Sequence, residues 1–287
     1  MRLTDRYYTT TSSGTATTTL MSKLRFGDQR LALPEVSSPE RLLFKAMGVV
    51  DPAHWLHSRY FIRALDRWSD LDPRAILDAG CGRGDYSFYL ARRYPGAMVT
   101  GVDIDEARVD RNRRMATRLG LENVSFETAD LVSARFPNPF DLIISIDVLE
   151  HIAQQEQALR NLAGHLTPGG RVFYHIPTAR QRPVPFSSLL SGFHEWAEGE
   201  HVAEDRTSEQ FVATMRRAGY DILRSYRTFG YFTGEMATSL FNLPYENTTR
   251  NRVLQALLAP ACRLLAVADS LRLEETRYAV AVEGRRA

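Results

Sequence analysis

The 287-residue sequence predicts an α/β protein, a parallel sheet covered by helices on both faces. Three observations carry that expectation. From Ala75 onward, short β-rich runs alternate with amphipathic helical stretches. The run FDLIISI (140–146) is almost continuously apolar, as a central strand buried on both faces must be. A glycine-rich loop, Gly80-Cys81-Gly82-Arg83-Gly84, joins the first such strand to a helix.

Taken in order, the expected strands are Ile76–Ala79, Met98–Val102, Val124–Glu127, Asp141–Ile146, Val172–Ile176, Asp221–Thr228 and Thr276–Glu283. Between the fourth and fifth, Leu159, Leu162 and Leu166 share one helical face, and TPGG (167–170) stops that helix with a turn. Thr207 and Gln210 have capping-box spacing ahead of Phe211, Met215 and Ala218, and Gly219 is placed to end that helix. Arg108, Arg111, Arg113, Arg114 and Arg118 crowd the helix after Asp105, which reads as a solvated outer face.

Three regions interrupt the alternation. Residues 1–70 form an N-terminal segment, disordered at first and then helical through HWLHSRYFIRALDRW, which is expected to cap the acceptor side. The main domain, 71–287, carries insertions at 178–206 and 229–272. In the second insertion Leu254, Leu257, Leu258, Leu264, Leu265 and Leu271 line one helical side; packing on the domain is the default for that stripe, and 249–272 is also the candidate surface for a homo-oligomer.

Bulk composition excludes several classes. A formal net charge of +2 provides no global field for nucleic acid or an acidic membrane, so no nucleic-acid partner is expected. Two cysteines, Cys81 and Cys262, make no disulfide framework, and with no secretory signal the expectation is a cytoplasmic protein. The longest apolar stretch, from Val253, is broken by Gln255, Pro260 and Arg263 and falls short of the roughly 20 residues a membrane span needs.

The loop by itself does not name its ligand. A dinucleotide fingerprint wants glycine or alanine three residues after its second glycine, and Asp85 stands there. A phosphate-binding Gly-Lys-Ser/Thr triplet is absent. The acidic residues discriminate further. Asp78, inside the first strand, would repel a pyrophosphate but can hold an ammonium group. Asp103 ends the second strand, 19 residues after Gly84, placed to accept hydrogen bonds from two ribose hydroxyls. Asp130 follows the third strand and can accept from an adenine amino group. A cationic nucleoside fits these three carboxylates. Cys81 has no identifiable base partner and reads as a small residue filling the loop.

The motifs ILDAGCGRGDYSFYLARR, VTGVDID, ETADL, FDLIISIDVLEHI and LTPGGRVFYHIPT resemble, in order and spacing, those of class I S-adenosylmethionine-dependent methyltransferases. The likeness runs over about residues 75–228. It implies a Rossmann-like, doubly wound, seven-stranded mostly parallel sheet whose last strand inserts antiparallel. It implies S-adenosylmethionine (SAM) at the carboxyl ends of the first four strands, with S-adenosylhomocysteine (SAH) as product. By that resemblance Gly80, Gly82 and Gly84, with Cys81 between them, approach the methionine portion. Asp103 takes the ribose, Ile104 packs on adenine, Asp130 and Leu131 complete the adenine pocket, and Asp147 and Val148 lie near the methionine end.

The expected activity is methyl transfer to oxygen, nitrogen or carbon of a small, fairly apolar or aromatic acceptor. His151, in DVLEHI, is a candidate general base because its pKa suits neutral pH. His194 and His201, with Glu195, Glu204 and Asp205, are candidates for a lid over the acceptor; their spacing matches no zinc motif, so no metal is expected. His175, inside a strand, reads as a satisfied core histidine. The place after the fourth strand reads Asp-Val-Leu-Glu rather than the Asn/Asp-Pro-Pro-aromatic tetrad of DNA amino-methylating members. A non-catalytic SAM-binding or scaffolding protein and an NAD-dependent oxidoreductase are the rival readings.

Overall fold

The computed structural model describes residues 26–34, 36–47, 52–178, 207–229 and 279–287, with a few helical positions between 257 and 267. The elements are α1 (Ser38–Met47), α2 (Pro52–Arg67), β1 (Ala75–Ala79), α3 (Asp85–Arg93), β2 (Met98–Asp103), α4 (Glu106–Leu119), β3 (Val124–Thr128), β4 (Phe140–Ile146), α5 (Gln155–Gly164), β5 (Leu166–Pro177), α6 (Ser208–Arg217), β6 (Tyr220–Thr228) and β7 (Ala279–Arg286). Short 3-10 turns span Asp28–Ala32 and Leu149–His151.

The seven strands form one sheet in the order β3-β2-β1-β4-β5-β7-β6. Strands β1 to β5 run parallel, and β7 inserts antiparallel between β5 and β6. The order reverses between β1 and β4, the switch point where open α/β sheets bind ligands at their carboxyl ends.

Alternation along each strand splits the core in two. Ile76, Val99, Leu142, Ile144 and Phe173 face α2, α3 and α4, meeting Phe61, Leu65, Phe88, Leu90 and Val109. Leu77, Val102, Ile143, Val172 and Tyr174 face α5 and α6, meeting Leu159, Leu162, Phe211 and Met215. Helix α2, which precedes the boundary expected at residue 70, thus packs in the same core as the sheet. Its end is fastened to β7, where buried Glu283 ion-pairs with Arg67 and accepts from Trp68 Nε1 at 3.1 Å.

Local chemistry sets the helix ends. Asp105 caps α4, its side chain accepting from the Ala107 and Arg108 amides, and left-handed Gly120 closes it. The Thr207–Gln210 capping box is formed in both directions at α6. The arginines of α4 lie on its exposed side, Arg108 and Arg113 pairing with Asp105 and Asp110.

One expectation is corrected. TPGG does not separate α5 from its strand as a turn: α5 already ends at Gly164, and β5 starts at Leu166. The pairing slips between Phe140↔Leu166 and Leu142↔Arg171, so Pro168, Gly169 and Gly170 form an irregularity inside the strand. Gly169, at φ 78°, supplies the left-handed residue that such a bulge uses. The Leu-rich stripe is only partly described. Leu257 and Leu264 are exposed, whereas Leu254, Leu258, Leu265 and Leu271 lie outside the described residues.

Candidate active site

The glycine loop leaves β1 at the switch point and is held by backbone bonds. Gly80 and Cys81 both donate to the Val102 carbonyl, at 2.8 and 2.7 Å, and Gly84 donates to Cys81 at 2.8 Å. Asn112 of α4 ties the loop down from the other side, its amide donating to the Gly82 carbonyl at 2.9 Å. Gly80, Gly82 and Gly84 all have positive φ, which is why side-chain-bearing residues fit this loop poorly.

Asp103, at the end of β2, reaches back to the loop. One carboxylate oxygen accepts from the Gly82 amide at 2.8 Å and the other from the Asp105 amide at 3.0 Å. Beside it Ile104 is 75 % exposed, an apolar side chain turned outward at the strand end. Asp130 is exposed, its Oδ1 accepting from the Val132 amide at 2.9 Å. Leu131, by contrast, is buried in the α5–α6 core. Asp103, Ile104 and Asp130 thus stand at the ends of β2 and β3, beside the glycine loop.

Asp78 is buried and accepts from Ser87 Oγ at 2.5 Å. Burial pushes its carboxyl up to about 7; Ser87 opposes the shift, and the nearby Asp103 and Asp85 add to it. Cys81 is also buried, and burial with the Asp78 and Asp103 charges raises its thiol well above the usual range. That chemistry makes it a poor nucleophile. Asp85 is buried and paired with Gln29 and Arg30 of the first 3-10 turn. Phe26 adds a ring contact to Tyr86, at 4.8 Å between centroids. This covering of the loop by residues 26–30 could not be seen in the motif pattern.

The other half of the site lies where β4 and β5 end. Asp147 adopts φ 56°, uncommon for a non-glycine residue. Its side chain meets His175 Nδ1 of β5 at 2.7 Å and His57 Nδ1 of α2 at 2.6 Å. His175 is 2 % exposed, and its Nε2 lies 2.8 Å from Thr228 Oγ1. Enclosure alone would raise the Asp147 carboxyl, but His57 and His175 outweigh it and hold the group well below the usual carboxylate range. Around this cluster, Phe229 packs on His57 at 4.5 Å and on Tyr60 at 5.3 Å, and its amide donates to Tyr60 Oη at 2.9 Å.

Val148, next in line, stands directly against Gly80. His151 lies exposed on the turn Leu149–His151, its Nε2 3.8 Å from Glu150 Oε1. His194 and His201 lie outside the described residues. His175 has the satisfied surroundings its strand position suggested. His57, Tyr60 and Phe229 had not been singled out; the signal available was only the i, i+3 spacing of His57 and Tyr60 on a helix, with no sign of what that helix faced. No helix among the described residues is long and apolar enough to cross a membrane.

The glycine loop and the acidic ends of β1 and β2 lie at the switch point, where open α/β sheets bind their ligands. Residues 76–170 match the family model described as a methyltransferase domain. The chain is 28% identical over 167 residues to a ubiquinone biosynthesis O-methyltransferase of Coxiella burnetii (strain Dugway 5J108-111), covering 55% of this chain and 70% of the relative. It is 32% identical over 146 residues to the enzyme of that name from Aeromonas salmonicida (strain A449), covering 50% and 60%. Among solved structures, phosphoethanolamine N-methyltransferase 2 of Haemonchus contortus with bound SAM shares the fold at TM-score 0.60 and 16% identity, covering 89% of this chain and 59% of that one. The [4+2]-cyclase SpnF does so at 0.55 and 22%, covering 79% and 80%. Residues 76–170 thus carry a methyltransferase domain, of the kind that uses SAM as methyl donor.

Proposed function

We propose that this enzyme moves the methyl group of SAM to an oxygen of a small, largely apolar or aromatic acceptor seated at the carboxyl ends of β4 and β5. The observation that carries the reading is the wall of Tyr60, Phe229 and His57 standing beside Asp147 and Val148, next to the glycine loop. Apolar rings with a few polar groups are the usual lining of a small-molecule site. The O-methyltransferase relatives support oxygen as the accepting atom.

In this reading Asp78 holds the ammonium of SAM and Asp103 its ribose. Ile104 lies against adenine, and Asp130 accepts from the adenine amino group. The glycines let the methionine portion approach the backbone. Transfer from the sulfonium is an in-line displacement, so orientation and exclusion of water supply much of the acceleration. A hydroxyl acceptor keeps its proton at neutral pH, and His151 is the proposed base, with His194 and His201 on the lid side. The test incubates the protein with SAM and a panel of phenols, catechols, aliphatic alcohols and amines, reading SAH release and product mass. Turnover with phenolic or other hydroxyl acceptors is expected. Turnover confined to amines overturns the oxygen assignment, and tight SAH binding with no turnover at all favours the non-catalytic reading.

Asp78 makes the cofactor reading testable by pH. A carboxyl raised to about 7 is largely protonated at pH 6 and ionised at pH 8. Because the folded value lies above the unfolded one, its stabilising contribution is complete below the unfolded pKa and is lost as pH rises through about 7. SAM binding through the ammonium needs the ionised form, so affinity is expected to rise between pH 6 and pH 8. Asp78→Asn is expected to melt higher than wild type at pH 8 without ligand, yet to bind SAM about 10-fold more weakly there and with little pH dependence. Calorimetry and thermal melts at the two pH values check both halves. Unchanged affinity and pH dependence in Asp78→Asn would remove the residue from the cofactor site.

A further inference from the structure

We propose that His57, Asp147 and His175 form a binding site for a first-row divalent metal ion, of the zinc or ferrous type. The three residues come from separate elements, α2, the end of β4 and β5, yet one ligand atom from each lies within 4.8 Å of the others. Two imidazole nitrogens and a carboxylate oxygen are the donor set that these ions favour over magnesium or calcium.

Donor atoms on a tetrahedral ion with bonds of about 2.0–2.1 Å sit roughly 3.3 Å apart. His57 Nδ1 meets Asp147 Oδ2 at 2.6 Å and His175 Nδ1 meets Oδ1 at 2.7 Å, so these two separations would open by only a fraction of an ångström for an ion held between the imidazoles and the carboxylate. Thr228 gives His175 a partner for the tautomer that metal binding needs. When its Nε2–H donates to Thr228 Oγ1, 2.8 Å away, Nδ1 presents its lone pair toward Asp147. An outer hydrogen bond of this kind is what fixes the tautomer of a metal-ligating histidine.

Two further observations point the same way. Asp147 holds its carboxylate between the imidazoles from a backbone at φ 56°, a strained conformation of the kind that clusters at ligand-holding sites. Three residues on, Glu150 Oε2 is buried with no hydrogen-bond partner among the described residues. A cation here would face the Asp147 carboxylate that the two imidazoles already meet. If the acceptor reading above holds, an ion here would stand among the rings proposed to line the acceptor and lower the pKa of a bound hydroxyl. Metal binding itself does not depend on that reading.

The full-length protein, stripped with chelator, is titrated with Co2+ and then Zn2+, following the visible bands of cobalt and the heat of binding. Saturation at one ion per chain is expected, with Zn2+ displacing Co2+. Thr228→Val, which leaves all three ligands in place, is expected to weaken binding about 10-fold. His57→Ala and His175→Gln are expected to weaken it further. SAH binding and a cooperative melt, measured on the same samples, show that each variant is folded and separate this result from the methyltransferase assignment. Wild-type protein that binds neither Co2+ nor Zn2+ overturns the proposal and leaves the cluster a hydrogen-bonded His–Asp–His relay. Binding that His57→Ala and His175→Gln both leave unchanged overturns it as well.

Discussion

Asp103→Ala is expected to weaken SAM and SAH binding at least about 100-fold, the largest effect of any single substitution on the cofactor. Hydrogen bonds to a charged acceptor contribute roughly 1.5–3 kcal/mol each, and two ribose hydroxyls would be lost together. The structure adds a second loss. The same carboxylate accepts from the Gly82 amide at 2.8 Å and from the Asp105 amide at 3.0 Å, so alanine also unties the glycine loop from β2. Asp103→Asn keeps the shape and one acceptor oxygen, and should fall between wild type and alanine. Calorimetry with SAH ranks the three proteins. Equal affinity in Asp103→Ala and wild type would place the ribose elsewhere.

The second large effect separates two glycines that look equivalent in the motif. A methyl group built on Gly80 would lie 2.4 Å from both γ-carbons of Val148, at a backbone φ of 86°. Left-handed strain of about 1–2 kcal/mol and overpacking of about 1–3 kcal/mol then add, and Gly80→Ala is expected to lower the melting temperature by several degrees even without ligand. At Gly82 the same methyl meets nothing within 4 Å, and only the strain of φ 51° remains. Gly82→Ala should therefore stay closer to wild type in stability while losing SAH affinity, because the open space above it is where the ligand is proposed to approach. Thermal melts and SAH binding on the two variants test the contrast. A stable Gly80→Ala or a Gly82→Ala with full affinity would contradict it.

Much of this was legible because it is local. The alternation of apolar residues in β4 sorts Leu142 and Ile144 to one face and Ile143 to the other, and a two-residue period is visible in any strand. The Thr207–Gln210 cap and the left-handed glycines of the loop are likewise set by bonds or backbone sterics within a few residues. Less legible were places where local chemistry permits two outcomes. Thr167-Pro168-Gly169-Gly170 has the composition of a helix stop and a turn, yet pairing with β4 draws it into β5 as a bulge. The catalytic lid expected from His194 and His201 lies outside the described residues.

Residue type and spacing alone determined the α/β class, the loop at the end of β1 and the carboxylates Asp78, Asp103 and Asp130, because each follows from its own strand and its own end. Only the tertiary structure brought His57 of α2 to Asp147 and His175, and Arg30 to Asp85. Those partners are separated by 55 to 118 residues, and α2 is a helix whose outer neighbours no periodicity names. A helix records in sequence which face is apolar, whereas the strand end it leans over is set by how the whole sheet is wound.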